Sequence, residues 1–180
     1  MTTVLLTGAT GFVGSQILKS LLAHGVRVVP VVRSGKEKFV PTSVTVERIT
    51  SSPDIFQESV EWWALQCRGV DTVIHAAWYS EPGKYLMSAK NMDCLVGSLN
   101  LGRGAAIAGV KRWIGIGTCF EYDVSVGELS IDVPLKPLTP YAGAKVSLFT
   151  ALSHWLPTQS IEFAWCRLFY LYGEGEDERR

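Results

Sequence analysis

The amino-acid sequence predicts an α/β fold, a doubly wound parallel sheet with helices on both faces. Along the 180 residues, short apolar runs that fit buried strands alternate with longer stretches of helical periodicity. The first apolar run, Val4 to Leu6, is followed at once by three glycines and then by a helical pattern. Regular alternation of strands and helices is typical of parallel sheets, because each parallel strand needs a crossover connection.

The three glycines Gly8, Gly11 and Gly14 lie on the turn between the first strand and the first helix. A pyrophosphate bound at such a turn must approach the backbone closely, and the free N–H groups of the helix must point at the anion. Glycine permits both because it has no Cβ. A glycine-rich turn with no ligand would also fit the spacing, but the strand before it and the helix after it favour a dinucleotide site. The prediction is therefore a Rossmann-type sheet with strand order 3-2-1-4-5-6.

The composition excludes several classes of protein. With 47% hydrophobic residues the chain can bury one core, and we expect a single dinucleotide-binding domain over residues 1–180. The 17 basic residues balance the 17 acidic ones, which argues against nucleic-acid binding. No signal segment or membrane-spanning run is present, and the four cysteines form no C-x-x-C pair that would indicate a metal site or disulfides. We expect a cytoplasmic protein.

The remaining elements follow from periodicity and turn residues. The predicted helices are 12–24, 55–67, 83–109 and one that begins near Pro140; the predicted strands after the first are 26–32, 44–49, 70–77, 111–117 and 161–167. Pro30 is unusual in a central strand, because proline donates no ladder hydrogen bond. Asp54 fits an adenine contact or the N-cap of the second helix, and we favour the cap.

The end of the second strand indicates which cofactor is preferred. NAD-specific proteins place a carboxylate there to hold the ribose 2′-hydroxyl, but the residues here are Val32, Arg33 and Ser34. Arg33 is suited to charge-assisted hydrogen bonds with a 2′-phosphate, although a solvated surface arginine is also common at this place. We therefore predict NADP, with NAD as the alternative.

The fourth predicted strand ends in His75, Ala76 and Ala77, with Trp78 and Tyr79 directly after them. His75 lies at the end of a buried strand and is interpreted as hydrogen-bonded structure rather than as an acid or base. Ligands of open α/β sheets bind outside the carboxyl ends of the strands. We therefore expect Trp78 or Tyr79 to border the substrate pocket.

Tyr141 and Lys145 form a Y-x-x-x-K pair, twenty-three residues beyond Thr118 at the end of the fifth strand. On a helix, residues four apart lie on one face, so the phenol and the ammonium project together. A phenol with its ordinary pKa of about 10 is a poor acid or base at neutral pH, and a nearby lysine cation lowers that pKa. An exposed tyrosine and lysine on an amphipathic helix would give the same spacing by chance. The glycine-rich turn, the pattern of the fourth strand and the hydroxyl of Thr118 at the end of the fifth strand favour an acid–base site.

The run T-G-A-T-G-F-V-G resembles the short-chain dehydrogenase/reductase family, in particular its extended branch of NAD-dependent epimerases and dehydratases. The V-I-H-x-A strand, the Y-x-x-x-K pair and the G-T-C-F-E-Y run are similar to the same branch, nearest to its nucleotide-deoxysugar C4 ketoreductases such as CDP-abequose synthase. The resemblance covers the whole chain. It departs at Cys94, where the family has asparagine, and at Tyr170, where the family has the asparagine of R-x-x-N-x-Y-G-P.

The resemblance implies roles for the matching residues. Tyr141 would be the general acid/base, Lys145 its partner and a ribose ligand, and Thr118 the hydroxyl that orients the substrate. The expected cofactor-binding residues are Gly8, Thr10, Gly11, Phe12, Val13, Gly14, Arg33, His75, Ala76, Ala77, Tyr141 and Lys145; the expected substrate-binding residues are Trp78, Tyr79 and Thr118. The resemblance also implies a homodimer and a substrate lobe beyond residue 180, so the chain is expected to be truncated before that lobe.

The expected reaction is NAD(P)-dependent reduction of a C4 keto group on a nucleotide-linked sugar. A 4,6-dehydratase would carry Asp-Glu after Thr118, but Cys119 and Phe120 stand there. Two alternatives stay open: an NAD-dependent C4 epimerase of a nucleotide sugar, and a dinucleotide-binding module without catalysis.

Overall fold

The computed structural model describes residues 2–179 and contains a six-stranded parallel sheet with helices on both faces. The strands are β1 (Thr3–Thr7), β2 (Arg27–Arg33), β3 (Thr50–Ser52), β4 (Thr72–His75), β5 (Arg112–Thr118) and β6 (Glu162–Leu168). The helices are α1 (Phe12–Ala23), α2 (Val60–Gln66), α3 (Lys90–Ile107) and α4 (Pro140–Thr158). The order across the sheet is β3-β2-β1-β4-β5-β6, which confirms the predicted fold class and strand order.

Apolar residues on successive strand positions serve two different cores, because neighbouring side chains point to opposite faces of the sheet. Leu5, Val29 and Trp113 pack with α2, α3 and α4 on one face. Val4 and Leu6 pack with Leu18 of α1 on the other face. This two-sided burial explains why the strands read as continuous apolar runs in the sequence.

Pro30 lies inside β2 without breaking the sheet. The backbone of Val28 donates to Thr45 O and accepts from Glu47 N, so it faces the β3 side of β2. Residues two apart on a strand face the same side, and Pro30 therefore also faces the β3 side. There β3 pairs only with residues 31–33 of β2. The missing N–H of Pro30 thus removes no hydrogen bond between β2 and β1.

The prediction of the third strand at 44–49 was wrong. Within that segment Val46 forms only an isolated bridge with Val28, and β3 proper is Thr50–Ser52. The alternation of apolar residues in 44–49 favoured a strand, yet only Val46 packs against the core, while Val44 and Ile49 are exposed.

Two helices begin later than predicted. Helix α2 begins after Ser59, whose hydroxyl accepts from Trp62 N at 3.2 Å. Asp54 instead caps a separate turn by accepting from Phe56 N at 3.0 Å, so it is not the N-cap of α2. Helix α3 begins at Lys90 rather than near Gly83, because a 3-10 turn at Tyr85–Met87 precedes it.

The small residues of α3 serve close packing within the chain. A Cβ on Gly97 would lie 2.4 Å from Phe56 Cα, and one on Gly104 would lie 2.5 Å from Trp63 Cβ. Both distances are far below van der Waals contact, so α2 and the turn before it can lie against α3 only where glycine is present. This packing compensates for the low helix propensity of the glycines.

Candidate active site

A cavity of about 610 Å³ opens at the carboxyl ends of the strands, the edge at which open α/β sheets bind ligands. Each of these strands contributes its last residues or the loop that follows it, and α4 contributes its first turns. Of the predicted site residues, those that line the cavity are Gly8, Thr10, Gly11, Phe12, Val13, Gly14, Arg33, Ala76, Ala77, Trp78, Thr118, Tyr141 and Lys145.

The glycine-rich loop joins β1 to α1 at the floor of the cavity. Gly8 has φ +71°, and a Cβ there would lie 2.8 Å from Ala77 N. A Cβ on Gly14 would lie 2.0 Å from Gly8 O. Gly11 is the N-cap of α1, with no side-chain cap and no acidic residue in the first turn. The first-turn N–H groups of α1, which have no partners within the helix, are therefore available to an anion such as a pyrophosphate.

The end of β2 carries positive charge into the cavity. Arg33 is exposed and lines the cavity, and Lys36 lines it three residues later. Sequence analysis singled out Arg33 but missed Lys36, which the turn after β2 brings back to the same side. Asp54 also lines the cavity, although its Oδ1 accepts from the backbone of the turn described above.

His75 lies behind the cavity wall and not in it. Its side chain is buried, with Nδ1 2.8 Å from Thr7 Oγ1 and Nε2 2.7 Å from Ser98 Oγ. Ser98 donates its hydroxyl hydrogen to Cys94 O, so it accepts from His75 Nε2–H, and Nδ1 in turn accepts from Thr7. Thr7 Oγ1 accepts from Ala77 N at 3.2 Å. The neutral imidazole thus holds the loop of Ala76 and Ala77 against β1.

Burial fixes the charge state of His75. Desolvation first, and then the positive charge of Lys145, lowers the pKa of His75 to about 3. A group that is neutral throughout the physiological range and has both ring nitrogens engaged cannot exchange protons with a substrate. This geometry fits the interpretation of His75 as hydrogen-bonded structure. It does not fit the expected contact with the cofactor, because the side chain lies behind the cavity wall.

Tyr141 and Lys145 lie on the first turns of α4, which Thr139 caps by accepting from Ala142 N at 3.2 Å. The ring of Tyr141 is half-buried and lies edge-on to Tyr85, with centroids 4.8 Å apart. Lys145 is only 3% exposed, donates to Ile116 O at 2.6 Å and lies 3.9 Å above the ring of Trp78. Burial lowers the pKa of Lys145 to about 7, although the negative charge of Glu121 acts in the opposite direction.

Thr118 is the last residue of β5 and lines the cavity with 7% of its surface exposed. Its hydroxyl oxygen accepts from Phe120 N at 3.3 Å, and its own N–H donates to the Glu121 carboxylate at 2.8 Å. The strand ends here in a 3-10 turn, Cys119–Glu121. The turn carries Glu121 into the interior, where it is fully buried and does not line the cavity.

Trp78 and Tyr79, which sequence analysis assigned together to the substrate, point to different places. Trp78 lines the cavity, and its indole N–H donates to Asn91 Oδ1 at 2.8 Å. Tyr79 does not line it, since its hydroxyl donates to Glu81 at 2.8 Å and its ring lies under Lys90. Cys94, at the position of the family asparagine, accepts from Tyr79 N through its sulfur at 3.4 Å.

Besides Lys36, three further residues at the site have a role that sequence reasoning missed. Asn91 is fully buried and joins Trp78 to the backbone of Tyr85 and Ser88. Tyr85 lines the cavity beside Tyr141, and Glu121 holds Thr118 from behind. The only signal in the sequence was that Asn91 lies one turn before the expected asparagine position.

The fold, the glycine-rich turn and the cavity at the sheet edge define a Rossmann-type α/β protein. The chain belongs to the NAD dependent epimerase/dehydratase family, whose sequence model matches residues 4–180. This confirms the resemblance on which the sequence-based expectations depended.

Individual relatives support the same family. The dTDP-6-deoxy-L-talose 4-dehydrogenase (NAD(+)) of Aggregatibacter actinomycetemcomitans is 25% identical over 172 residues, which are 95% of this chain and 62% of that protein. The UDP-glucose 4-epimerase of Thermus thermophilus, solved in complex with NAD, is 26% identical with a TM-score of 0.81 over 98% of this chain and 58% of that one. The chain therefore spans about six-tenths of the length of these relatives.

A third comparison shows the fold alone. The UDP-N-acetylglucosamine 4-epimerase of Methanobrevibacter ruminantium M1 has a TM-score of 0.82 at 20% identity, over 98% of this chain and 57% of that chain. Within residues 2–179 no helix has the length and apolar character needed to cross a bilayer, and no cluster of three or more metal-ligating side chains occurs. Homodimerisation stays a prediction.

Proposed function

We propose that this chain carries the cofactor site and the acid–base residues of an NAD(P)-dependent oxidoreductase that reduces a C4 keto group on a nucleotide-linked sugar. The observation that carries the proposal is the convergence of Tyr141, Lys145 and Thr118 on the cavity that the glycine-rich loop also lines. The name of the relative from A. actinomycetemcomitans, a 4-dehydrogenase of a dTDP-linked deoxysugar, supports the position and class of the reaction.

The residues that line the cavity are suited to a nicotinamide dinucleotide. The N-terminus of α1 would hold the pyrophosphate, with Gly8 and Gly14 permitting the approach. Arg33 and Lys36 would hold a 2′-phosphate, which supports NADP, because no carboxylate stands at the end of β2. When bound in its reduced form, the nicotinamide supplies the hydride to the carbonyl carbon.

The residues of this chain control the proton that accompanies the hydride. Tyr141 donates its phenolic proton to the carbonyl oxygen of the substrate, so that the C=O group becomes a CH–OH group. The Lys145 ammonium stabilises the phenolate that remains until a proton from solvent restores it. Thr118 holds the same oxygen through its hydroxyl, so that the carbonyl lies beside Tyr141 at the moment of transfer.

A C4 epimerase is the second candidate, because the relative from T. thermophilus is named a UDP-glucose 4-epimerase and was solved with NAD. In an epimerase the same Tyr141 would take the proton from the C4 hydroxyl. It would return the proton to the C4 oxygen after the sugar ring has rotated in the site. Net consumption of cofactor distinguishes the two reactions: reduction consumes one reduced cofactor per product, and epimerisation consumes none.

The test uses Tyr141→Phe in parallel with the wild-type protein. We expect turnover of a nucleotide-linked 4-ketohexose to fall by about 10² to 10⁴-fold, because the proton donor is lost. Cofactor affinity, measured by fluorescence titration, should stay within about twofold, because the ring remains. A Tyr141→Phe variant that still turns over would contradict the assignment, and a wild-type protein that binds cofactor but turns over nothing would favour the non-catalytic module.

Cofactor choice is tested by titration with NADPH and NADH. We expect tighter binding of NADPH, and we expect Arg33→Ala to remove that preference. Arg112→Ala is the matched control, because Arg112 is an exposed arginine at the amino end of β5, away from the cavity. Equal affinities in the wild-type protein, or NAD already bound on purification, would contradict the NADP proposal and favour the epimerase.

A further inference from the structure

The buried carboxylate of Glu121 lies outside the cavity and takes no part in the proton transfer described above. It is 0% exposed, and its two oxygens accept from three donors. Oε1 accepts from Thr118 N at 2.8 Å and from Trp165 Nε1 at 3.1 Å, and Oε2 accepts from Arg167 Nε at 2.8 Å. A buried charge is costly unless it is paired and hydrogen-bonded, and here both conditions are met.

Trp165 reaches Glu121 because β5 has glycine at two alternate positions. A Cβ on Gly115 would lie 2.2 Å from Trp165 Cζ3, and one on Gly117 would lie 2.2 Å from Trp165 Nε1. The indole therefore lies flat across β5 in the space that two side chains would otherwise fill. Its N–H ends at the Glu121 carboxylate, and its ring lies 6.0 Å from Lys145 Nζ.

Arg167, the cation paired with Glu121, packs against two aromatic rings. The guanidinium lies 4.5 Å from the ring centroid of Phe149 and 4.9 Å from that of Tyr122. Its side chain is 17% exposed. Neither Glu121 nor Arg167 lines the cavity. The ion pair therefore connects the end of β5 to β6 from behind the site.

The negative charge of Glu121 also acts on Lys145. The titratable groups that act on Lys145 are Glu121 after β5 and Cys94 on α3, and Lys145 in turn acts on His75 of β4. Arg167 on β6 pairs with Glu121, and Tyr141 lies one turn earlier on the same helix as Lys145. Burial lowers the pKa of Lys145, whereas the charges of Glu121 and Cys94 oppose that decrease. His75 is neutral at physiological pH. Glu121 is thus the negative charge that acts most strongly to keep Lys145 protonated.

We propose that Glu121 is a positioning residue of the active site: it fixes Thr118 through the backbone N–H, and it places a negative charge at the indole N–H of Trp165, whose ring faces the Lys145 ammonium. This inference rests on the proposed function for its kinetic consequence, but not for its electrostatic one. The two contributions can be separated by two substitutions, because glutamine keeps the reach of the side chain without its charge and aspartate keeps the charge without the reach.

For Glu121→Gln we expect the titration midpoint of Lys145 to move to lower pH by about 0.5 pH units or more, because an opposing charge has been removed. The probe is the ¹³Cε resonance of labelled lysine, assigned by its loss in Lys145→Met. This readout needs neither cofactor nor turnover, so it remains decisive if the proposed reaction proves wrong. The matched control is Glu162→Gln, an exposed glutamate at the start of β6 that pairs with Arg112.

For Glu121→Asp we expect the Lys145 midpoint to stay near its wild-type value while kcat falls at least tenfold with little change in KM, because Thr118 is no longer held. A merely structural role would lower stability in both variants and leave the Lys145 midpoint unchanged in both. That result would overturn the proposal, as would full activity in Glu121→Asp. If Glu121→Gln does not fold, the kinetics of Glu121→Asp still decide the positioning claim: a tenfold fall in kcat at little-changed KM supports it, and full activity overturns it.

Discussion

The close approach of α1 to the glycine-rich loop makes Gly14→Ala a direct test of the cofactor site. A Cβ at this position would lie 2.0 Å from Gly8 O and 2.6 Å from Gly8 C, whereas real Cβ contacts essentially never fall below 3.0 Å. Because the neighbouring atoms belong to the backbone, the start of the helix and the loop must separate by about 1 Å. Because the same first-turn N–H groups would bind the pyrophosphate, both stability and cofactor affinity should fall.

The magnitude follows from two opposing effects. Forcing extra atoms into a packed region costs about 1–3 kcal/mol, while alanine gains up to about 1 kcal/mol over glycine in a helix. We expect a net loss of about 1–2 kcal/mol of unfolding free energy, measured by urea denaturation, and at least about a tenfold loss of cofactor affinity. Gly143→Ala on α4 is the control, since nothing lies within 4 Å of its Cβ, and it should be stabilised by about 0.5–1 kcal/mol. A Gly14→Ala protein as stable as Gly143→Ala, with unchanged affinity, would refute the steric reasoning.

Two further predictions concern pH. The pKa of His75 is lowered to about 3 in the folded protein, whereas histidine in the unfolded chain has its ordinary pKa of 6.5. Between these two values only the unfolded chain binds the extra proton, so stability should fall as pH decreases from 6.5 towards 3. The slope from this group is about 1.4 kcal/mol per pH unit, and urea denaturation at several pH values should show it in the wild-type protein but not in His75→Gln. For reduction, kcat/KM should fall as pH rises above about 7 and Lys145 loses its proton. Trp78→Leu should move that decrease to lower pH, because it removes the ring 3.9 Å below the ammonium, whereas Trp78→Phe should not; identical profiles for the two variants would contradict a cation–π role.

Local sequence patterns predicted the parts of the fold that depend on local forces. The glycine-rich turn, the buried runs of β1, β2 and β4 and the i, i+4 pair on α4 all follow from periodicity and side-chain type, and the structure has the strand order that they imply. The strand predicted at 44–49 was wrong because its alternating pattern matches a strand that this edge of the sheet does not bury. The starts of α2 and α3 were wrong because the turns at residues 54–57 and 85–87 interrupt apolar patterns that look continuous.

The parts of the site that sequence reasoning missed depend on contacts between distant segments. β5 ends at Thr118, and a 3-10 turn directs the side chain of Glu121 inward, where no periodic pattern would place it. Its partners Trp165 and Arg167 lie on β6, more than forty residues later. The contact between a side chain after β5 and side chains of β6 is not encoded in a short pattern, so the buried ion pair became visible only in three dimensions.

The fit of Trp165 across Gly115 and Gly117 has a consequence for how this sequence can change over time. A larger residue at either glycine would collide with the indole, and a smaller residue at 165 would leave a void above both glycines and remove a donor from Glu121. No single substitution at these three positions preserves the packing. We therefore expect them to vary together among homologues, with the side-chain volume at 165 decreasing wherever the volume at 115 or 117 increases.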